Sequence, residues 1–217
     1  MKILIISDTH LGEHFEEKKF NLLRKIIAGV DKVIINGDFW EGYTTSFDTF
    51  IKSPWKRLFP YLLKRKAIYL YDNHDKKEYV NDKVKLFSVQ QAKAYSFRSG
   101  NKKFFVEHGD RIAPLWDKYF HPTPSFIINF LGFIEKNMTR NFNKKLLFVF
   151  YKGAREKIKM YTRKNFKKNE FFVCGHIPLQ EIDISNHYIN SGLSKYGLCQ
   201  YIIIENGKIL AKEAWHE

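Results

Sequence analysis

Hydrophobic and polar positions fall in blocks along this chain. Three short β-branched runs, residues 3–6, 33–35 and 67–71, each stop abruptly at polar loop residues: Ser7-Asp8, Asn36-Gly37-Asp38 and Asp72-Asn73. Between them Phe20, Leu22, Leu23, Ile26 and Ile27 recur at helical spacing. So do Phe47, Phe50, Ile51, Leu58, Leu62 and Leu63, around an interruption at Pro54. Strands that alternate with helices predict parallel βαβ units buried on both faces. Further strands are predicted over 93–97, 103–106, 171–174, 188–189, 201–204 and 208–211, the last two joined as a hairpin through Asn206-Gly207.

Residues 111–169 have a different texture. Phe126, Ile127, Phe130, Leu131, Phe133 and Ile134 crowd one stretch and residues 146–151 another, both with a helical look. From Gly153 onward Ala154, Ile158 and Tyr161 mark an apolar stripe, with Arg155, Lys157, Lys159, Arg163, Lys164, Lys167 and Lys168 on the other sides. Such a basic amphipathic helix suits a membrane surface, and equally a solvated helix packed on a core. The formal charge is +14, and the segment accounts for most of it: fourteen Lys and Arg stand there against Asp117, Glu135 and Glu156. The expected organisation is therefore a core of residues 1–110 and 170–217 that carries residues 111–169 as a basic, aromatic-rich helical insertion.

At 217 residues, 44% apolar and 28% charged, the chain is long enough for a real core and excludes disordered, collagen-like and coiled-coil classes. The excess positive charge attracts polyanions, whether nucleic acid, anionic lipid or phosphorylated substrates. Two cysteines, Cys174 and Cys199, make neither a disulfide framework nor a zinc ribbon and suit a reducing compartment. Residues 1–6 read as a first strand rather than a signal peptide. The longest apolar stretch, 125–134, is about half of the roughly 20 residues that span a bilayer.

Ligand-type side chains collect just after the predicted strands: Asp8 and His10, then Asp38, then Asn73, His74 and Asp75, then His108 and Asp110, then His176. In an open α/β sheet the crevice lies at the strand C-termini, so five strand ends converge on one place. Oxygen and imidazole donors without cysteine suit Mn²⁺, Fe²⁺ or Zn²⁺ rather than a structural thiolate site.

Spelled out, the set is Asp8-Thr9-His10, Gly37-Asp38-Phe39-Trp40-Glu41, Asn73-His74-Asp75, His108-Gly109-Asp110 and Gly175-His176. It resembles the calcineurin-like metallophosphoesterase family over nearly the whole chain. The resemblance implies an α/β fold, a sandwich of two mixed β-sheets flanked by helices with a helical lid insertion, and a site for two divalent metal ions, Mn²⁺ foremost. Asp38 would bridge both ions, Asp8 and His10 would hold the first, and Asn73, His108 and His176 the second. Two cations about 3.5 to 4 Å apart need such a shared carboxylate with neutral imidazoles, and together they acidify a bridging water. His74 would serve as the catalytic histidine beside the ions, oriented by the other catalytic residue, Asp75, and Asp110 would support His108.

Two positions depart from the family pattern. Asp72 stands where the family usually has Gly, which puts a residue less tolerant of left-handed backbone at a tight turn. The final Gly-His-x-His reads Gly175-His176-Ile177-Pro178, one first-metal ligand short, with water, Gln180 or His187 as candidates to complete it. His14, His121 and His216 read as structural or surface residues.

Within the family, the position and composition of the insertion resemble the lid of the UDP-2,3-diacylglucosamine hydrolases of lipid A biosynthesis, and Gly37-Asp38-x-x-Glu41 matches their pattern. That resemblance implies cleavage of a UDP-linked glycolipid to UMP and 2,3-diacylglucosamine 1-phosphate, by a cytoplasmic protein peripheral on the anionic inner membrane surface and without a stable nucleic-acid partner. Arg111, Arg140, Lys144, Lys145 and Arg155 are the candidate substrate-binding phosphate contacts. His74 stands where those hydrolases commonly carry Arg. A phosphodiesterase acting on nucleotides or nucleic acid remains open, since the same insertion would suit a phosphate backbone. So does a non-catalytic membrane-associated scaffold.

Overall fold

The computed structural model describes residues 1–72, 75–114, 136–137 and 148–216. The β-branched runs form strands as their pattern predicts. β1 (Lys2–Ile6), β2 (Lys32–Asn36) and β3 (Ile68–Leu70) pair in parallel, with α1 (Glu17–Ala28) between the first two. Between the second and third come α2 (Phe47–Lys52), a 3-10 turn (Pro54–Leu58) and α3 (Phe59–Lys64). The break falls at Pro54 because Ser53 closes one helix and caps the next turn, its hydroxyl accepting from the Trp55 amide.

The other strands are β4 (Gln90–Ala92), β5 (Ala94–Ser99), β6 (Lys102–Glu107), β7 (Glu170–Cys174), β8 (Glu181–Asp183), β9 (Tyr188–Asn190), β10 (Leu198–Glu205) and β11 (Lys208–Trp215). They complete a six-stranded sheet of order β11-β10-β1-β2-β3-β4 and a five-stranded sheet of order β5-β6-β7-β9-β8. Both are mixed: β10 runs antiparallel to β1, and β6, β7 and β9 are parallel to one another while β5 and β8 are antiparallel to their neighbours. The β10–β11 hairpin closes at Asn206-Gly207 with Glu205 opposite Lys208, and both turn residues have positive φ, 48° and 77°, as a type I′ turn requires.

Period-two alternation assigns each strand residue to a layer. Ile3 and Ile5 of β1 join Ile34, Ile68, Phe104, Val106, Phe171, Val173 and Ile202 between the two sheets. Leu4 and Ile6 face the other way, into the helices and an aromatic cluster around Phe39, Trp40, Phe50 and Phe87. On the far side of the second sheet, Phe172, Cys174 and Tyr188 pack under α4 (Lys152–Asn165) through Ile158, with Ala154 and Tyr161 alongside. Cys174 and Cys199 are buried free thiols.

The apolar stripe of α4 thus faces the core. Two of its cations do as well: Arg155 and Lys159 are 2% and 7% exposed. Arg155 forks onto Glu181 at 2.8 and 3.0 Å, and Lys159 reaches both Glu181 at 2.6 Å and Asp183 at 2.7 Å. Phe148, Val149 and Phe150, just ahead of the helix, are exposed. The apolar stretch 125–134 lies outside the described residues. Among the described residues no helix is long and apolar enough to cross a membrane.

Candidate metal centre

The C-terminal ends of β1, β2, β3, β6 and β7 open at one edge of the sandwich, and the residues that follow them meet there. Asp8, Asp38 and His108 each offer a ligand atom within 4.8 Å of the others, and so do Asp38, Asp72 and Asp75. The loops reach this arrangement through unusual backbone: φ is +52° at Asp8, +43° at His10, +49° at Asp38 and +64° at His176. Left-handed residues that are not glycine cost of order 1–3 kcal/mol each and persist where surrounding structure fixes them. Asp72 is not one of them. The turn after β3 therefore does not place at Asp72 the left-handed geometry its sequence position suggested.

Two glycines make the close approach of these loops possible. A Cβ on Gly37, at φ +80°, would strike the Asp72 carboxylate and lie 2.5 Å from His108 Nδ1. One on Gly175 would meet the Ser7 side chain and come within 2.7 Å of Asp8 Oδ2.

Asp38 lies at the centre. Its Oδ2 is 3.3 Å from His10 Nε2 and 3.6 Å from His108 Nε2. The far nitrogen of each ring is fixed: His108 Nδ1 donates to the Asn36 carbonyl at 2.8 Å and His10 Nδ1 to Glu41 Oε2 at 3.0 Å. With the proton on Nδ1, both Nε2 lone pairs face the same carboxylate, the posture of imidazole ligands held from behind. His108 is fully buried, and its Nε2 has no hydrogen-bond partner. A carboxylate and two imidazoles that converge across such gaps, each ring held from behind, fit a divalent ion.

The electrostatics agree. Burial first, then the carboxylates of Asp72, Asp8 and Asp75, push Asp38 well above the usual carboxylate range. Burial likewise raises Asp8, against the attraction of His108, and raises Asp75 with Asp72 adding to it. For His108, burial pulls the imidazolium down, but Asp72, Asp8 and Asp110 outweigh it and the net shift is upward. Among the described residues, an enclosure holding this many carboxylates favours a cation.

His176 sits beside His108, ring centroids 5.1 Å apart; its amide donates to Asp8 Oδ2 at 3.2 Å and its Nε2 to the Ala113 carbonyl at 3.2 Å. Asp75 is fully buried and accepts from the Phe39 amide at 3.1 Å. Asn73 and His74 lie outside the described residues, as do Arg140, Lys144, Lys145 and His121. Arg111 is exposed and forks onto Glu107 at 2.9 and 3.2 Å. Arg155, expected at a phosphate, is instead committed to Glu181 within the core.

Neither side chain considered for the missing ligand turns to the site. Gln180 donates to the carbonyls of Ser191, Tyr201 and Lys212, and His187 bonds the Glu170 carbonyl at the entry to β9, the opposite end of the sheet from the strand C-termini. Asp72, which accepts from the Asp38 amide, and the Glu41 carboxylate behind His10 belong to the site as well; in the sequence only the spacing of Glu41 from Asp38 signals the latter.

A model of the calcineurin-like phosphoesterase family (Metallophos) matches residues 1–200. No curated protein matches the chain. Among solved structures, Vps29 of Entamoeba histolytica complexed with Zn²⁺ is similar, with a TM-score of 0.52 at 13% identity over 100% of both chains. The phosphoesterase YfcE of E. coli is similar with a TM-score of 0.50 at 15% identity, again over 100% of both. At these identities the structural likeness speaks for the fold: two mixed sheets flanked by helices.

Proposed function

Because the chain belongs to the calcineurin-like phosphoesterase family, we propose that it is a hydrolase that works with two divalent ions, Mn²⁺ foremost, and cleaves the diphosphate of a nucleotide-linked glycolipid, UDP-2,3-diacylglucosamine. The observation that carries the metal-dependent chemistry is the facing of the His10 and His108 Nε2 atoms onto one oxygen of Asp38, at 3.3 and 3.6 Å. In this reading Asp38, Asp8, His10, Asn73, His108 and His176 are the residues that would hold the ions, Asp38 being the carboxylate that both would share. Bound there, the ions supply Lewis-acid charge on phosphoryl oxygens and bring the pKa of water near neutrality.

The chain's own side chains do the rest. The Asn36 carbonyl and Glu41 keep the two imidazoles in the tautomer that ligates. The Ala113 carbonyl fixes the His176 ring. His74 would stabilise charge on the phosphoryl oxygens or protonate the leaving group, and Asp75, which accepts from the Phe39 amide, would orient it. The glycolipid substrate is supported by the basic, aromatic insertion at residues 111–169, by the exposed Phe148, Val149 and Phe150 ahead of α4, and by the sequence resemblance. Acyl chains need apolar surface, and a diphosphate at an anionic membrane surface needs Lys and Arg.

The test is Mn²⁺-dependent release of UMP from UDP-2,3-diacylglucosamine in detergent, beside an aryl phosphodiester and a single-stranded oligonucleotide. The expected result is UMP release that Asp38→Ala and His74→Ala each abolish while the protein stays folded. Cleavage of only the diester or the oligonucleotide would refute the glycolipid assignment and keep the metal chemistry. Activity retained in both variants would refute the chemistry itself.

A further inference from the structure

Asp72 follows β3 with its carboxylate fully enclosed. One carboxylate oxygen accepts from the Asp38 amide and the other from the Asp75 amide at 3.1 Å. Asp75 in turn accepts from the Phe39 amide at 3.1 Å. Two carboxylates therefore strap the loop after β2 to the loop after β3, and they hold Asp38 in its left-handed conformation at φ +49°. Gly37 is the residue that admits this strap, since a side chain there would collide with the Asp72 carboxylate.

A staple of backbone amides could be built from a neutral side chain, but Asp72 brings a full charge into a space that already holds Asp38 and Asp75, each with an oxygen within 4.8 Å of the others. Asp75 Oδ1 is buried there with no hydrogen-bond partner. Three enclosed carboxylates repel one another when ionised, and a cation among them relieves that repulsion. Resting on the metal-site reading above, we infer that Asp72 is a positioning residue for the divalent-cation site: it fixes the shared carboxylate Asp38 through that residue's amide, and its charge raises the site's affinity for the ion.

The experiment is calorimetric titration of Mn²⁺ into the metal-free full chain, for wild type, Asp72→Ala and Asp72→Asn, with the melting temperature measured in chelator and in saturating Mn²⁺. Outer partners of metal ligands typically change affinity by about 10- to 100-fold. Asp72→Ala, which loses strap and charge, is expected to weaken Mn²⁺ binding at least about tenfold. Asp72→Asn keeps the shape and one acceptor but not the charge, and carries the test if Asp72→Ala does not fold. It too should bind Mn²⁺ more weakly; because its NH2 group then faces one of the two amides that the carboxylate accepted, its metal-free melting temperature reports on the strap and its Mn²⁺ affinity on the charge. Unchanged Mn²⁺ affinity in Asp72→Asn, whatever its metal-free melting temperature, would overturn the inference and leave Asp72 a structural staple. Failure of the wild-type chain to bind Mn²⁺ would overturn the proposed function and this inference together.

Discussion

Replacing Glu181 by Gln tests how strongly α4 is tied to the second sheet. In the native protein Arg155, Lys159, Glu181 and Asp183 form a closed set of two cations and two carboxylates, with contacts of 2.6 to 3.0 Å. Gln keeps the shape and one acceptor, but among the described residues Arg155 then has no carboxylate partner, because Asp183 is bonded to Lys159 rather than to Arg155. Breaking a buried pair from one side costs about 3–5 kcal/mol. The Glu181 side chain is 18% exposed, so the lower end, about 3 kcal/mol, is expected. For a domain of this size that corresponds to a melting temperature about 6–12 °C lower. Urea unfolding should show the loss as a lower midpoint at unchanged slope. Adding Arg155→Met removes the stranded charge, and the double variant should be more stable than Glu181→Gln alone. The pH dependence has a definite sign. Burial alone would raise Glu181, but its hydrogen bonds with Arg155 and Lys159 outweigh it and hold the carboxyl below its ordinary range. The stabilisation is therefore present above the ordinary Glu value of 4.5 and lost as pH falls below it, so wild type and variant converge in acid. A cost under about 1 kcal/mol, the size of an exposed pair, or a double variant no more stable than the single, would refute a dry ion network.

Lys19 is buried, donates to the Thr9 carbonyl at 2.7 Å, and is pushed by burial from 10.5 down to about 8. The folded state then carries a cost of about 3 kcal/mol below pH 8 that is relieved as pH rises toward 10.5, so wild type should gain on Lys19→Met in urea midpoints between pH 7 and 9.5; parallel profiles would contradict this. Gly37→Ala should destabilise by about 2–5 kcal/mol, from left-handed strain plus the clash with Asp72 and His108. Gly153→Ala, in the first turn of α4 with nothing within 4 Å, should stabilise by about 0.5–1 kcal/mol; equal effects of these two in thermal melts would show that the packing argument fails. Chelation should lower the melting temperature by about 5–11 °C relative to protein in Mn²⁺ at a hundredfold excess over Kd, the equivalent of about 2.7 kcal/mol; identical melts would argue against a resident ion.

The strands that build the inter-sheet core were legible because each joins β-branched or aromatic residues to an abrupt polar stop. Two strands were not: Gln90–Ala92 and Glu181–Asp183 are three residues long, polar and at sheet edges, where neither burial nor alternation leaves a mark. The α4 stripe was legible as a face but not as a partner. Sequence periodicity places Ile158 and Arg155 on a helix, yet only the sheet beneath reveals that Glu181 and Asp183 await the two cations from a strand more than twenty residues further on. At the candidate metal centre, the rule of ligand-type residues after strands pointed to Asp8, His10, Asp38, His108 and His176, and the fold brings the side chains of Asp8, Asp38 and His108 together. Asp72 was invisible as a contributor because its role depends on two amide donors from separate loops, and amides carry no sequence signal.

The two buried charge clusters make opposite physical statements. Under α4 every charge meets its opposite, and the set is neutral as built. At the strand ends Asp8, Asp38, Asp72 and Asp75 are enclosed together, with the Nε2 atoms of His10 and His108 turned to Asp38. The same loops hold four non-glycine residues in left-handed backbone. Repulsion and strain of this kind both act against folding, and the neutral network under α4 shows that this fold can compensate charge where stability alone is served. Among the described residues, carboxylates outnumber cations in this enclosure, an arrangement suited to binding positive charge. Divalent cations fit that deficit by sign and by donor type. Their binding would relieve the repulsion that the fold tolerates and couple metal affinity directly to stability.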